Sequence, residues 1–354
     1  MSSSDSLTIR LRLEDVVALA FFLINLVMRL AFRGLEHHTL SPANVFIIIP
    51  AVALLMAKEL VHYFWVGRDA PHAPSDAPWR FARPYWAIVR DWFPFFIILL
   101  MYYSLWGDST RLLITHDRDG VLIALDQRLF GFQASVAMQR FITPSLTAWM
   151  DFAYFYHVLH IPVVACFLYL KRPRRRFREA MTGLIVVCFF GFLGYLAVPA
   201  IGPMYTLRNQ YSVPLGTSLA LFNRQVEFMD FARILRDVFP SMHVAISFLM
   251  WLYAYRNSRR LFWLLSPLVL GLWVSTVYLR YHYVVDVVAG LILAPLCYWL
   301  SNFLFAHVQE IPLRIALPAA WRQHLPWLQA PRPLPDGTVP GPEVEPAERL
   351  QERP

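Results

Sequence analysis

Two short stretches decide how this chain is read: Phe239-Pro-Ser-Met-His243 and Arg280-Tyr-His282-Tyr-Val-Val-Asp286. Each stands at the head of an apolar run. Pro240 and Ser241 are strong helix-start residues. A serine N-cap leaves backbone N–H groups pointing out of the helix end, where a phosphate group binds readily. In the second stretch His282 and Asp286 lie four residues apart, hence on one helix face. A carboxylate there holds one ring nitrogen and leaves the other as a lone pair aimed at a substrate. The helix dipole disfavours imidazolium while Asp286 favours it, which suits a histidine that stays neutral until it attacks. His243, on a different helix, is then placed to act as general acid and base. Two other readings stay open: the histidines satisfy one another at a helix interface, or they and Asp286 ligate zinc without a compact ligand spacing.

The rest of the chain says what surrounds these residues. Of 354 residues, 57% are hydrophobic and only 16% charged, and there are 27 Phe, 16 Tyr and 12 Trp. A soluble interior has too little room for that much apolar surface, so lipid must be the solvent for much of it. The net charge is +8, and Lys58 and Lys171 are the only lysines among 32 basic residues. The arginines stand in short blocks between apolar runs, which fits membrane loops rather than nucleic acid. Cys166, Cys188 and Cys297 all lie inside apolar segments, so no disulfide framework is expected.

A spanning helix needs roughly 20 apolar residues. The candidates are 15–33, 43–66, 92–106, 146–170, 180–199, 241–256, 261–279 and 283–304, which predicts an all-α polytopic membrane protein with about eight transmembrane helices. The block Lys171-Arg-Pro-Arg-Arg-Arg-Phe-Arg178 and the arginines 256, 259 and 260 should face the cytoplasm. Both termini then lie inside, while 107–145, 200–240 and 279–283 lie outside with the two histidine stretches. The organisation expected is two N-terminal helices (1–66), an irregular cytoplasmic linker (67–90), a catalytic membrane domain (91–305) and a cytoplasmic tail (306–354), disordered from about 331, where prolines and acids crowd. The 107–145 stretch mixes apolar and charged residues and should lie along the membrane surface as short helices.

At these motifs the chain resembles the type 2 phosphatidic acid phosphatase superfamily, membrane enzymes that cleave or transfer lipid phosphate groups. The resemblance is carried by Pro240-Ser241-x-His243 and Ser275-x6-His282-x3-Asp286. Thr276 stands where the superfamily usually has arginine, and an upstream Lys-x6-Arg-Pro element is not recognisable. Both departures are similar to the inositol phosphorylceramide synthase group of fungi and its bacterial relatives. So are Pro199-Ala-Ile-Gly-Pro-Met-Tyr205 and Asp126-x-x-Leu-Phe-Gly131. The resemblance implies a six-helix core with two extra N-terminal helices. It also implies His282 as a nucleophile forming a phosphohistidine, Asp286 as its orienting partner, and His243 as the proton donor to the leaving oxygen.

The expected activity is a phosphotransferase moving a phospho-headgroup, inositol phosphate being one candidate, from a phospholipid donor to a lipid alcohol such as ceramide or diacylglycerol. With water as acceptor the same residues make a phosphatase acting on phosphatidate, sphingoid phosphate or polyprenyl phosphates. The proposed chemistry needs no metal and no cofactor. With the usual basic clamp missing, Arg280 and Arg236 are the first choices to neutralise phosphoryl oxygens, then Arg208 and Arg233. Ser241 belongs to the phosphate site. Tyr154 and His157, with Asp151 and His160 nearby on the fourth span, either line a headgroup pocket or pack as an interhelical network; Tyr205 and Asp126 stand in the same position. The residence expected is a bacterial cytoplasmic membrane with the site on its outer face.

Overall fold

The computed structural model describes residues 6–31, 42–62, 79–105, 114–216 and 236–316. In chain order these form β1 (Ser6–Arg12), α1 (Leu13–Ala31), α2 (Pro42–Val61), α3 (Trp79–Tyr103), α4 (Asp119–Phe130), α5 (Ala134–Ala137), a 3₁₀ turn (Met138–Phe141), α6 (Pro144–Lys171) and α7 (Arg174–Ala197). They continue with α8 (Pro203–Thr206), a second 3₁₀ turn (Arg208–Gln210), α9 (Met242–Asn257), α10 (Arg259–Tyr278), α11 (Val284–His307) and β2 (Glu310–Ala316). Every expected span coincides with a helix. Among the described residues, five stretches are long and apolar enough to cross a membrane: Tyr85–Tyr103 within α3, and α6, α7, α10 and α11. The protein is an all-α membrane protein in its architecture, with one small two-stranded sheet among the described residues, β1 paired with β2.

The chain divides into two units. The larger comprises Arg12–Ala53 and Asp91–Gln309, and the smaller Met1–Leu11, Leu54–Arg90 and Glu310–Pro354. In the smaller unit, Arg90 bonds Glu59 at 2.6 and 3.2 Å, and Lys58 lies 3.2 Å from the same carboxylate. All three side chains are buried, so the carboxylate and its cations balance one another out of water.

In the larger unit α9 is central, packed by α6, α7, α10 and α11, while α10 also lies on α6 and α11 on α7. Local signals set the helix ends. The Thr143 hydroxyl accepts the Leu146 N–H at the start of α6, the Ser258 hydroxyl accepts the Leu261 N–H at the start of α10, and left-handed Gly131 (φ 82) closes α4. Residues 181–188 of α7 are buried on every side, whereas Trp263, Leu264, Leu170 and Trp299 face outward, as lipid-facing surface does.

Two boundaries differ from expectation. The helix α3 begins at Trp79, inside the expected 67–90 linker, and runs through Pro84 and Pro94; membrane helices tolerate proline where neighbours re-satisfy the backbone. The helix α7 begins at Arg174, so three arginines of the basic block sit in its first turn, against the dipole. Glu179 compensates by drawing in Arg176 (2.9 Å), Arg175 (3.4 Å) and Arg256 (3.5 Å). Of the expected 107–145 surface stretch, the described residues from 114 onward form short helices, which expose Val121, Leu125, Leu129 and Phe141. Residues 67–78 and the tail beyond 316 lie outside the described residues.

Candidate active site

The starts of α9 and α11 touch backbone to backbone. Ser241 N–H donates to the Asp286 carbonyl at 3.0 Å. A Cβ built on Gly290 would come within 2.6 Å of the Ser241 carbonyl oxygen, so only glycine allows α11 this close to α9. Ser241 takes the N-cap position of α9 in extended conformation, but its hydroxyl caps nothing. It is fully buried, and its Oγ has no partner among the described residues. An orphaned hydroxyl at a helix N-terminus calls for an acceptor from outside the protein.

The second stretch is held from three sides. Tyr281 and His282 N–H groups both donate to the Thr276 carbonyl at 3.0 Å. Buried Thr276 thus shapes the turn where the superfamily pattern has arginine. Asp286 Oδ2 accepts the Tyr283 N–H at 2.8 Å, closing the first turn of α11, and stands 3.5 Å from His282 Nδ1. From α4, Asp126 accepts Val284 N–H and Val285 N–H at 3.0 and 2.9 Å. Asp119, two turns earlier on the same helix, accepts Tyr283 O–H, Gly202 N–H and Ile201 N–H at 2.8 to 3.0 Å. Burial raises the Asp126 carboxyl above its ordinary value although the two N–H groups pull the other way.

Asp126 therefore caps the helix that carries His282 and Asp286, and its carboxylate is used up by that backbone rather than by a headgroup. Asp126→Ala is expected to cost about 1–2 kcal/mol of stability, as lost helix caps do. It should also slow turnover by loosening the turn before Asp286. Thermal unfolding in detergent, run beside an activity assay, checks both.

The two histidines meet. His243 Nδ1 lies 3.2 Å from His282 Nε2. With Asp286 beside Nδ1 of His282, that nitrogen carries the proton and Nε2 presents a lone pair. His243 then donates through Nδ1, and an Asp286–His282–His243 line results. It ends in a cavity of about 450 Å³ walled by α3, α6, α7 and α9. The walls near the histidines are mostly apolar, Ile161, Phe192 and Ile246 among them. Among the described residues, no group of three or more His, Cys, Asp or Glu side chains is arranged to hold a metal ion.

The model of the PAP2 superfamily matches residues 121–300. The chain belongs to the PAP2 superfamily. It is similar to the phosphoinositol dihydroceramide synthase of Bacteroides thetaiotaomicron, 28% identical over 156 residues that cover 40% of this chain and 51% of that protein. It is also similar to a PA-phosphatase related-family protein of Dictyostelium discoideum, 28% identical over 140 residues, 36% of this chain and 24% of that one. The chain thus spans about half the length of the first relative and about a quarter of the second. No solved structure matches it significantly.

Within this PAP2 domain the other expected residues fall into two groups. Tyr154 and His157 reach the cavity: Tyr154 stacks between His243 (4.8 Å between ring centroids) and Tyr281 (4.7 Å). His160 also reaches it, but both its nitrogens are engaged, with Tyr156 O–H at 3.0 Å and the Ser247 carbonyl at 3.1 Å, tying α6 to α9. Asp151 is buried on α6 outside the cavity wall. Tyr205 and Arg208 are exposed and line no part of the cavity, and Arg233 lies outside the described residues.

Arg236 and Arg280 share a rarer property. Among the described residues they alone, glycine apart, have positive φ, 81° and 69°. Such a conformation costs of order 1–2 kcal/mol and persists only where its surroundings impose it. Arg236 pairs with Asp117 at 2.6 Å. Arg280 lies over the Tyr211 ring at 4.0 Å and bonds the Val213 carbonyl through Nη2, while its Nε has no partner among the described residues. Burial lowers the Arg280 pKa from its ordinary value. Both arginines are thus pinned in the turns beside the histidine stretches.

Sequence reasoning missed one side of the site. Phe95, Leu99, Tyr102 and Tyr103 of α3 line the cavity, as do Tyr195 and Asp237, whose Oδ2 accepts Tyr102 O–H at 2.8 Å. The available signal was Asp237 itself, an acid next to Arg236 and just ahead of the Phe239 stretch.

Proposed function

We propose that this protein is a lipid phosphotransferase working through a phosphohistidine on His282. The observation that carries the reading is the Asp286–His282–His243 line ending in an apolar cavity. A phospholipid's phosphorus enters between the two histidines, opening their mutual bond. His282 Nε2 attacks, the P–O bond to the diacylglycerol oxygen breaks, and protonated His243 gives that oxygen its proton. The Asp286 carboxylate holds the ring and balances its positive charge. An incoming hydroxyl then attacks phosphorus and loses its proton to His243, and the N–P bond breaks to restore His282. The N-terminus of α9 with the orphaned Ser241 hydroxyl takes the phosphoryl oxygens. Arg280 and Arg236, in the turns beside the two histidine stretches, add positive charge.

The likeness to the phosphoinositol dihydroceramide synthase supports a phosphodiester donor such as phosphatidylinositol and a lipid alcohol as acceptor. The likeness to the PA-phosphatase related protein supports the second reading, with water as acceptor and phosphatidate as substrate. The Arg256–Arg260 turn between α9 and α10 lies at the opposite helix end from His243. With that turn in the cytoplasm, the site opens on the outer face of the membrane and both termini lie inside. The arginine-for-lysine bias fits a bacterial cytoplasmic membrane.

The test is a panel of labelled phospholipids, phosphatidylinositol and phosphatidate included, incubated with the purified protein with and without ceramide or diacylglycerol. A new phospho-headgroup lipid formed only with the acceptor is the expected product. Free phosphate released from phosphatidate, whatever the acceptor, makes the protein a phosphatase instead.

A further inference from the structure

The chain turns sharply just ahead of the Phe239 stretch, and the turn separates two opposite charges. Arg236 has φ 81°, a conformation that a non-glycine residue keeps only where its surroundings impose it. Its guanidinium leaves towards Asp117 at 2.6 Å and lines no part of the cavity. Val238, two residues on, is fully buried in a cluster with Leu122, Ala200 and Tyr283. Asp237 stands between them and lines the cavity that holds His243 and His282. Tyr102 O–H donates to its Oδ2 at 2.8 Å, and the Tyr102 ring lies against Phe192, 5.9 Å between centroids. An ionised carboxylate only accepts, so this bond suits its charged form.

Asp237 is the only Asp, Glu, Lys or Arg among the described residues that line the cavity. A charge among mostly apolar walls is costly to keep, and a neutral acceptor would hold the Tyr102 hydroxyl as well. What the charge adds is a sign. A phosphodiester carries one negative charge, whereas a phosphomonoester carries close to two near neutral pH, its second pKa being about 6. In the proposed cycle protonated His243 brings one positive charge to this cavity. Asp237 offsets it, so the second charge of a monoester meets a fixed like charge with no lysine or arginine in the described cavity wall to balance it. Two like unit charges about 10 Å apart, at an effective dielectric of about 20, disfavour one another by a factor of about ten or more.

We propose that Asp237 is a specificity-determining residue, whose carboxylate excludes dianionic phosphomonoesters from the histidine pair and leaves it to monoanionic phosphodiesters. The strained turn at Arg236 is what brings the acid, and not the neighbouring cation, to the cavity. Phosphatidate is then disfavoured for its charge, and the headgroup of a diester is not what Asp237 reads. This inference rests on the transferase reading above and adds to it the side chain that sorts donors by charge.

The experiment uses the full-length protein in lipid nanodiscs, with ceramide as acceptor and three donors labelled on phosphorus: phosphatidylinositol, phosphatidylmethanol and phosphatidate. Phosphatidylmethanol is a diester with almost no headgroup, so it differs from phosphatidate by one methyl group and one charge. Label transferred or released is counted for each donor. The wild type should use phosphatidylmethanol about tenfold better than phosphatidate in kcat/KM, or more. Asp237→Asn, whose carboxamide oxygen still accepts Tyr102 O–H, should bring that ratio down by about tenfold. Tyr102→Phe removes the bond but keeps the charge, and should leave the ratio near that of the wild type. A wild type that uses phosphatidate as well as phosphatidylmethanol overturns the inference, whatever the variants do. So does an Asp237→Asn protein that loses turnover on both donors in equal proportion, which would make the acid a packing residue. In either case, transfer from phosphatidylinositol to ceramide leaves the transferase reading intact. Free phosphate from phosphatidate with neither diester cleaved overturns the reading and the inference together.

Discussion

His282→Ala is expected to lower turnover by about 10⁴-fold or more, since removing a nucleophile that works with its partners as a unit costs nearly as much as removing them all. The structure argues that the loss will be chemical. His282 is buried against His243 and Asp286, and its backbone N–H bonds the Thr276 carbonyl, so the turn keeps its main-chain contacts when the ring is removed. The variant should elute from size exclusion in detergent as the wild type does. Rapid quench into alkaline denaturant with a phosphorus-labelled donor should trap label on the wild-type protein and none on the variant. A phosphoramidate is acid-labile and stable to base, which separates it from a serine ester. Near-normal turnover by a folded His282→Ala protein would mean that the phosphoryl group passes through another side chain.

Asp286→Asn should cost about 10³–10⁴-fold, as replacing the orienting acid of a comparable triad does. The substitution separates two jobs performed by one oxygen. Oδ2 caps the Tyr283 N–H at 2.8 Å and faces His282 Nδ1 at 3.5 Å. A carboxamide oxygen still serves the cap, so α11 keeps its first turn and the protein its stability. What is lost is the negative charge that balances the histidine as it takes on phosphorus. The expected pattern is a fall in kcat with little change in KM and an unfolding temperature near that of the wild type. A variant that unfolds early would assign Asp286 to the fold rather than to the reaction.

Both of these residues were legible in the sequence because everything that makes them suspicious is local. A Pro-Ser pair marks one helix start, and a four-residue spacing puts His282 and Asp286 on one face of the other. The surrounding spans were legible for the same reason, since apolar length needs no tertiary information. Asp126 was visible as an unusual acid but not as a cap, because the N–H groups it satisfies lie 158 and 159 residues further along the chain. The pairing of β1 with β2 joins residues 6–12 to 310–316, and neither strand announces its partner. The wall formed by α3 lies within the expected 92–106 span, but apolar length does not say which neighbours a helix meets; Pro84 alone, placed in the expected linker, hid where that helix begins. That wall also lies outside the 121–300 region matched by the PAP2 superfamily, so neither motif nor family likeness pointed to it.

The shortness of α9 has a consequence for how substrates arrive. Its 16 residues extend about 24 Å, against a hydrocarbon thickness of about 30 Å. With its arginine-bearing end anchored at one interface, the histidine end stops several ångströms below the other. The reaction then takes place at a depth that lipids occupy without leaving the sheet, and the two reactants meet by lateral diffusion in a plane. Their effective concentrations are mole fractions among neighbouring lipids rather than amounts per litre. Diluting donor and acceptor with inert phospholipid at constant bulk amount should slow the enzyme, whereas diluting the whole suspension with buffer should leave its rate per molecule unchanged.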